Sequence, residues 1–173
     1  MMAGWWISMV GAALATTPVV SVGQHALTFS LPVVNADQDE EAPRITLAQY
    51  VGVRPKEPQE AVVLYFFSRR EGSAQLADLS RIQKRYAGQG LQILGISTDA
   101  GAVGGLSAWL DDQALAFPVL RDNHQIVTGR YGFEKVPVAV LIDEQGYIFA
   151  VGQPDAADFS ADLEAELAAL LND

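Results

Sequence analysis

The feature that most constrains the fold is an ordered set of apolar and amphipathic segments within residues 61–97. The run Ala61–Phe67 has the length of a buried strand. After a polar break, apolar residues three or four positions apart predict one face of a helix: Leu76, Leu79, Ile82 and Tyr86. Gly88 and Gly90 end that helix, and Leu91–Ser97 is a second apolar run. A strand, a helix and a strand in so short a stretch predict a βαβ unit with parallel strands.

The downstream segments predict further elements of an α/β domain. Residues 116–120 have the apolar character of a short strand. Residues 136–143 and 147–151 flank a tight turn at 144–146, and this spacing predicts a hairpin. A closing helix is indicated by the apolar stripe Phe159, Leu163, Leu167 and Leu170, with Asp158 or Ser160 as its N-cap.

Several motifs resemble the thioredoxin-like redoxins when they are taken in order. They are VVLYFF at residues 62–67, LGISTD at 94–99, FPVLRD at 117–122, and a Val-Pro pair at 136–137 ahead of LID at 141–143. The resembling group includes the AhpC/TSA peroxiredoxins and the extracytoplasmic thiol–disulfide oxidoreductases. The resemblance spans roughly residues 24–171 and implies an α/β, thioredoxin-like fold: a central mixed sheet of about five strands with helices on both faces. Residues 136–143 favour the oxidoreductase branch and residues 64–67 the peroxiredoxin branch, so the ancestry stays open.

The N-terminal segment, residues 1–22, is predicted to be a signal peptide or an N-terminal anchor, and residues 23–173 the redoxin domain. An apolar run covers residues 4–15, and Ala13-Leu14-Ala15 fits a small-x-small cleavage site. No Lys or Arg precedes the run, so an uncleaved anchor or a misplaced start remains an alternative. A cleaved signal predicts a periplasmic or other extracytoplasmic location.

The absence of cysteine is the main functional observation. The chain has no cysteine, which excludes disulfides, thiolate metal sites and thiol chemistry. In both resembling groups the loop after the first strand carries the reactive cysteine, and serine has no accessible disulfide state. We therefore predict no catalytic residue, no cofactor and no metal site. The two histidines, His25 and His124, lie far apart in the sequence.

The loop that would have carried the cysteine is the predicted binding site, together with the Val-Pro pair. Its residues are Ser68, Arg69, Arg70, Glu71, Gly72, Ser73, Val136 and Pro137. The resemblance implies a cis Val136–Pro137 bond facing this loop, beside which an extended peptide pairs with the backbone. Lys135 and Glu134 would lie at the rim. If the helix begins at Ser73, its N-terminus and the two arginines would instead attract a small anion. The arginines could also be solvated or paired with nearby acids.

Charge restricts the class of partner. The net charge is −10, which argues against nucleic acid and anionic membrane surfaces as partners. The sequence thus predicts a non-catalytic redoxin-fold protein, exported, with a protein or peptide partner, acting as a binding or assembly module. Two alternatives stay open: a redoxin-class antioxidant or oxidoreductase role exerted through a partner, and binding of an anion or small ligand at the loop. The oligomeric state is not specified by these patterns.

Overall fold

The computed structural model describes residues 20–35, 42–153 and 158–172, and residues 1–19 of the predicted signal peptide or anchor lie outside them. The strands, in chain order, are β1 Ser30–Pro32, β2 Arg44–Thr46, β3 Ala61–Phe67, β4 Leu91–Ser97, β5 Val119–Arg121, β6 Val138–Asp143 and β7 Ile148–Gly152. The α-helices are α1 Leu76–Tyr86, α2 Val103–Asp111, α3 Ile126–Arg130 and α4 Phe159–Leu171. None of the helices in these ranges is long and apolar enough to cross a membrane.

The central sheet has five strands in the order β5-β4-β3-β6-β7. Strands β3, β4 and β5 are parallel, whereas β6 and β7 run antiparallel to their neighbours, so the sheet is mixed. The short strands β1 and β2 form a separate antiparallel pair. The predicted thioredoxin-like α/β fold and its βαβ unit are therefore confirmed.

Two apolar clusters cover the two faces of the sheet. Helices α1, α2 and α4 pack on one face, and α3 packs on the other with the N-terminal strands. Every residue of β3 is buried, because this central strand has a covered face on both sides. This explains why Ala61–Phe67 reads as a continuous apolar run rather than an alternating one.

Some element boundaries differ from the sequence prediction. The strand predicted at residues 116–120 begins only at Val119, because the Ala116 N–H is taken by the Ser80 hydroxyl at 2.8 Å. Residues Ser73–Gln75 form one 3-10 turn, and the α-helix begins at Leu76. Asp158 is the N-cap residue of α4, one of the two positions that the sequence predicted, although its side chain makes no capping hydrogen bond.

Candidate functional site

The site lies at one end of the central sheet, beyond the last residues of the three parallel strands. Phe67, Ser97 and Arg121 stand in one row across β3, β4 and β5. The first residue of β6, Val138, pairs with Phe66 beside that row. The loops that follow the three parallel strands and the segment that precedes β6 therefore meet at the same end of the molecule. Ligand sites of α/β folds lie at this end of their parallel strands.

The loop after β3 closes on itself in a tight turn. The Ser68 N–H donates to the Glu71 carbonyl at 2.9 Å, and the Glu71 N–H donates to the Ser68 carbonyl at 3.2 Å and its hydroxyl at 3.1 Å. The 3-10 turn Ser73–Gln75 then leads into α1. Since these bonds are local, the turn has a defined shape before any ligand arrives.

Gly72 brings the loop into contact with Pro137. A Cβ atom built on Gly72 would lie 2.7 Å from the Cβ of Pro137 and 2.8 Å from the Tyr65 hydroxyl, and the φ of Gly72 is +91°. Both the left-handed backbone and the lack of space require glycine. The Val136–Pro137 peptide bond is cis, as the resemblance implied. We call residues 68–73 together with Val136 and Pro137 the loop–proline site.

Tyr65 supports this contact from below, a role that the sequence analysis did not assign. Its side chain is fully buried under the loop, and its hydroxyl donates to the Gly72 carbonyl at 2.8 Å. Burial raises the pKa of the Tyr65 phenol, which keeps the group protonated and able to donate. The only available signal was a tyrosine within an apolar strand, where a buried hydroxyl needs a partner.

Asp99, just beyond the end of β4, fixes the loop from the side and was also missed. Its carboxylate accepts from the Arg69 N–H at 2.9 Å and from the Ser97 hydroxyl at 3.0 Å. The Arg69 side chain lies 3.6 Å from the same carboxylate. Arg69 is therefore paired with an acid, which was one of the two interpretations left open for the arginines. Asp99 comes just beyond β4, the strand predicted to lie beside β3, and this position was the signal that could have indicated its role.

Val136 presents backbone groups that are not used within the fold. The residue is half-buried and packs against the cluster on the α3 face of the sheet. Neither its N–H nor its carbonyl has a hydrogen-bond partner among the described residues. A backbone donor and acceptor at a half-buried position can pair with an extended chain from outside.

The remaining predicted site residues are spread around this contact. Arg70 and Lys135 are exposed, and neither forms an ion pair within the described ranges. Glu134 is exposed and has an interaction partner. Ser73 begins a 3-10 turn that leads directly into α1 at Leu76, so Ser73 is not itself the first residue of the α-helix. Among the predicted residues, Gly72 and Pro137 bring the loop and the Val-Pro pair into direct contact.

Other parts of the described chain offer different features. A cleft of about 460 Å³ is lined by Val33, Asn35, Pro43, Ile45, Leu115, Ala116, Phe117 and Pro118, none of which belongs to the loop–proline site. His25 stacks on Tyr147 with ring centroids 3.9 Å apart, whereas His124 lies beside Asn123. Within residues 20–35, 42–153 and 158–172, no group of three or more His, Asp or Glu side chains could hold a metal ion.

Comparison with known proteins gives a family and a fold. The model of the AhpC/TSA family matches residues 22–151. A protein from Chlorobium tepidum assigned as thiol:disulfide interchange protein DsbE has a similar structure, with a TM-score of 0.74 and 21% identity over 88% of this chain and 99% of that one. No curated protein matches the sequence.

Two structures from Mycobacterium tuberculosis are also similar. Peroxidoxin BcpB has a TM-score of 0.68 and 18% identity, covering 87% of this chain and 96% of its own. A secreted disulfide oxidoreductase homologous to DsbE of E. coli has a TM-score of 0.64 and 20% identity, covering 82% and 95%. At these identities the likeness shows the thioredoxin-like fold, and it includes both a peroxiredoxin-type and an oxidoreductase-type protein.

Proposed function

Because this chain belongs to the AhpC/TSA family and yet contains no cysteine, we propose that it is a non-catalytic member that binds an extended segment of a partner protein. Peroxide reduction and disulfide exchange both need a thiolate, which no other side chain replaces. What the fold retains is a shaped surface, the loop–proline site. Binding or assembly is the role that such a surface can serve.

The observation that carries this proposal is the unpaired backbone of Val136. Backbone N–H and carbonyl groups are almost always hydrogen-bonded when buried. Both groups of the half-buried Val136 are unpaired within the described residues, so they can form hydrogen bonds with a bound segment. A segment laid along Val136 can pair with both groups, as in strand addition. The adjoining loop needs little rearrangement, because Tyr65 and Asp99 already fix it. Preorganisation of this kind lowers the entropic cost of binding.

Export belongs to the same proposal. The apolar run at residues 4–15 and the small-x-small site within it support a secretory signal. One of the similar structures is of a secreted protein. We propose that the redoxin domain acts outside the cytoplasm, where partner proteins pass in extended form before they fold.

Binding of a small anion at the loop has less support than binding of a peptide. Arg69, one of the two cations that the anion hypothesis needs, is engaged by Asp99 through both its backbone and its side chain. An anion would have to compete with that carboxylate. A peptide that pairs with Val136 leaves the Arg69–Asp99 contact intact.

The test uses reduced, carboxymethylated lactalbumin, an unfolded polypeptide without free thiols, as the probe. Titration into the isotope-labelled protein should shift the amide resonances of residues 68–73 and Val136 and slow hydrogen exchange at the Val136 amide. Val136→Pro removes the N–H and should abolish binding, whereas Val136→Ala keeps it and should bind nearly as well as the wild type. Saturable shifts confined to other regions, or no shifts, would overturn the proposal even if Val136→Pro does not fold.

The non-catalytic part is tested separately on the same preparation. Insulin reduction and hydroperoxide consumption should not exceed the buffer blank. Clear turnover by the protein alone would show that a group other than a thiolate performs the chemistry.

A further inference from the structure

Charged side chains at the site end of the sheet are balanced, unlike those of the whole chain. The chain has 11 basic and 21 acidic residues. The site end, defined as residues 68–73, 98–102, 121–125 and 131–137, carries equal numbers of each sign: Arg69, Arg70, Arg121 and Lys135 against Glu71, Asp99, Asp122 and Glu134. The acidic excess of the chain therefore lies outside these segments.

Internal contacts engage charged side chains of both signs at this end. Asp122 is only 3% exposed, and its carboxylate accepts hydrogen bonds from the Val127 N–H, the Thr128 N–H and the Thr128 hydroxyl. It is thus withdrawn from the surface. Asp99 is 14% exposed at its side chain and faces Arg69. Two of the four acids, and Arg69 among the four cations, are therefore engaged in contacts within the fold.

Arg70 and Lys135 are the two cations at this end whose side chains form neither an ion pair nor a hydrogen bond within the described residues. Arg121, by contrast, donates to the Gly101 carbonyl. Arg70 belongs to the loop after β3, and Lys135 immediately precedes Val136, so the two cations belong to the two segments that meet at the Gly72–Pro137 contact. Glu71 is the exposed acid of the loop, and Glu134 already has a partner.

We infer that the partner segment bound along Val136 carries acidic side chains, which Arg70 and Lys135 contact from two sides of the loop–proline site. This inference rests on the proposed function and adds the chemistry of the partner. Residues of an extended segment advance about 3.3 Å each, so a segment of a few residues can pass both the loop after β3 and the residues that precede β6. Screening over about 8 Å at physiological ionic strength limits the repulsion from acids elsewhere on the molecule.

Three peptides of equal length test the inference. They share an apolar centre and differ only at two flanking positions, which are Glu, Gln or Lys. Fluorescence anisotropy at physiological ionic strength should rank the affinities Glu, Gln, Lys, with about tenfold between the first and the last, since two exposed pairs change from attraction to repulsion. The double variant Arg70→Glu/Lys135→Glu should reverse the ranking.

The matched control is Arg54→Glu/Lys56→Glu. Both residues are exposed cations in the segment before β3, at the opposite end of the sheet, and the change in net charge is the same. This variant should keep the wild-type ranking. Equal binding of all three peptides, or a preference for Lys, would overturn the acidic-partner inference and leave the proposed function standing. If none of the peptides binds, the proposed function itself fails.

Discussion

At the scale of single residues, Gly72 decides whether the loop can rest on Pro137. We expect Gly72→Ala to lower the free energy of unfolding by about 2–4 kcal/mol, because the new methyl group meets Pro137 and the Tyr65 hydroxyl and the backbone is left-handed. Urea denaturation measures the change. Gly104→Ala, in α2 with no atom near the added Cβ, should instead stabilise the protein by about 0.5–1 kcal/mol. An unchanged free energy of unfolding in Gly72→Ala would contradict the close packing of Gly72 against Pro137.

The sequence predicted the loop and the Val-Pro pair but not the contacts between them. The redoxin motifs placed both the loop and Pro137. The contact of Gly72 with Pro137 depends on tertiary structure, and so do the Tyr65 hydrogen bond and the Arg69–Asp99 pair. Tyr65 was interpreted as a core aromatic, which it is, but only the packed structure shows where its hydroxyl points. Residue type and spacing carry no information about such long-range partners.

At the scale of elements, Gln83 of α1 completes the edge of β4 where β5 is too short to pair with it. Its amide donates to the Leu91 carbonyl at 2.9 Å and accepts from the Ile93 N–H at 2.6 Å. Gln83→Leu leaves two buried backbone groups unpaired and should cost about 2–4 kcal/mol. Hydrogen exchange at the Ile93 amide should accelerate in parallel. The exposed Gln113→Leu serves as the control and should change stability by less than about 0.5 kcal/mol.

Unchanged stability and unchanged Ile93 exchange in Gln83→Leu would mean that the Gln83 amide is not needed to pair the backbone of β4.

Side-chain hydrogen bonds also explain why the predicted limits of β5 were wrong. The apolar run at residues 116–120 indicates burial, but Asn35 binds both the Phe117 carbonyl and the Val119 N–H, and Ser80 takes the Ala116 N–H. Apolar periodicity locates β3, β4 and α1 correctly because burial alone defines them. It cannot locate a strand whose limits are set by side-chain hydrogen bonds.

At the scale of the whole molecule, the fold was predictable and the partner was not. The five-stranded sheet follows from ordered motifs along the chain, and the loss of thiol chemistry follows from composition alone. The features that suggest binding are of a different kind. The unpaired backbone of Val136 and the charges of Arg70 and Lys135, which form no ion pair within the described residues, depend on tertiary contacts that sequence patterns do not contain.

Each face of the sheet has one fully buried tyrosine, and these two residues predict how the whole molecule responds to alkaline pH. Tyr65 donates to the Gly72 carbonyl on one face, and Tyr131 donates to the Leu27 carbonyl at 2.7 Å on the other. Burial raises the pKa of both phenols above the ordinary value of 10.0. In the unfolded chain they ionise near that value, so the folded state binds more protons at high pH.

Stability should therefore be constant with respect to these groups below about pH 10 and fall as the pH rises beyond it. The double variant Tyr65→Phe/Tyr131→Phe should lose about 1 kcal/mol per hydrogen bond at neutral pH and show a shallower alkaline decline. Urea denaturation between about pH 8 and 11 measures both effects. Tyr147→Phe, at a partly exposed position, should keep the wild-type decline. An identical decline in the double variant would show that these phenols ionise as readily in the folded protein as in the unfolded chain.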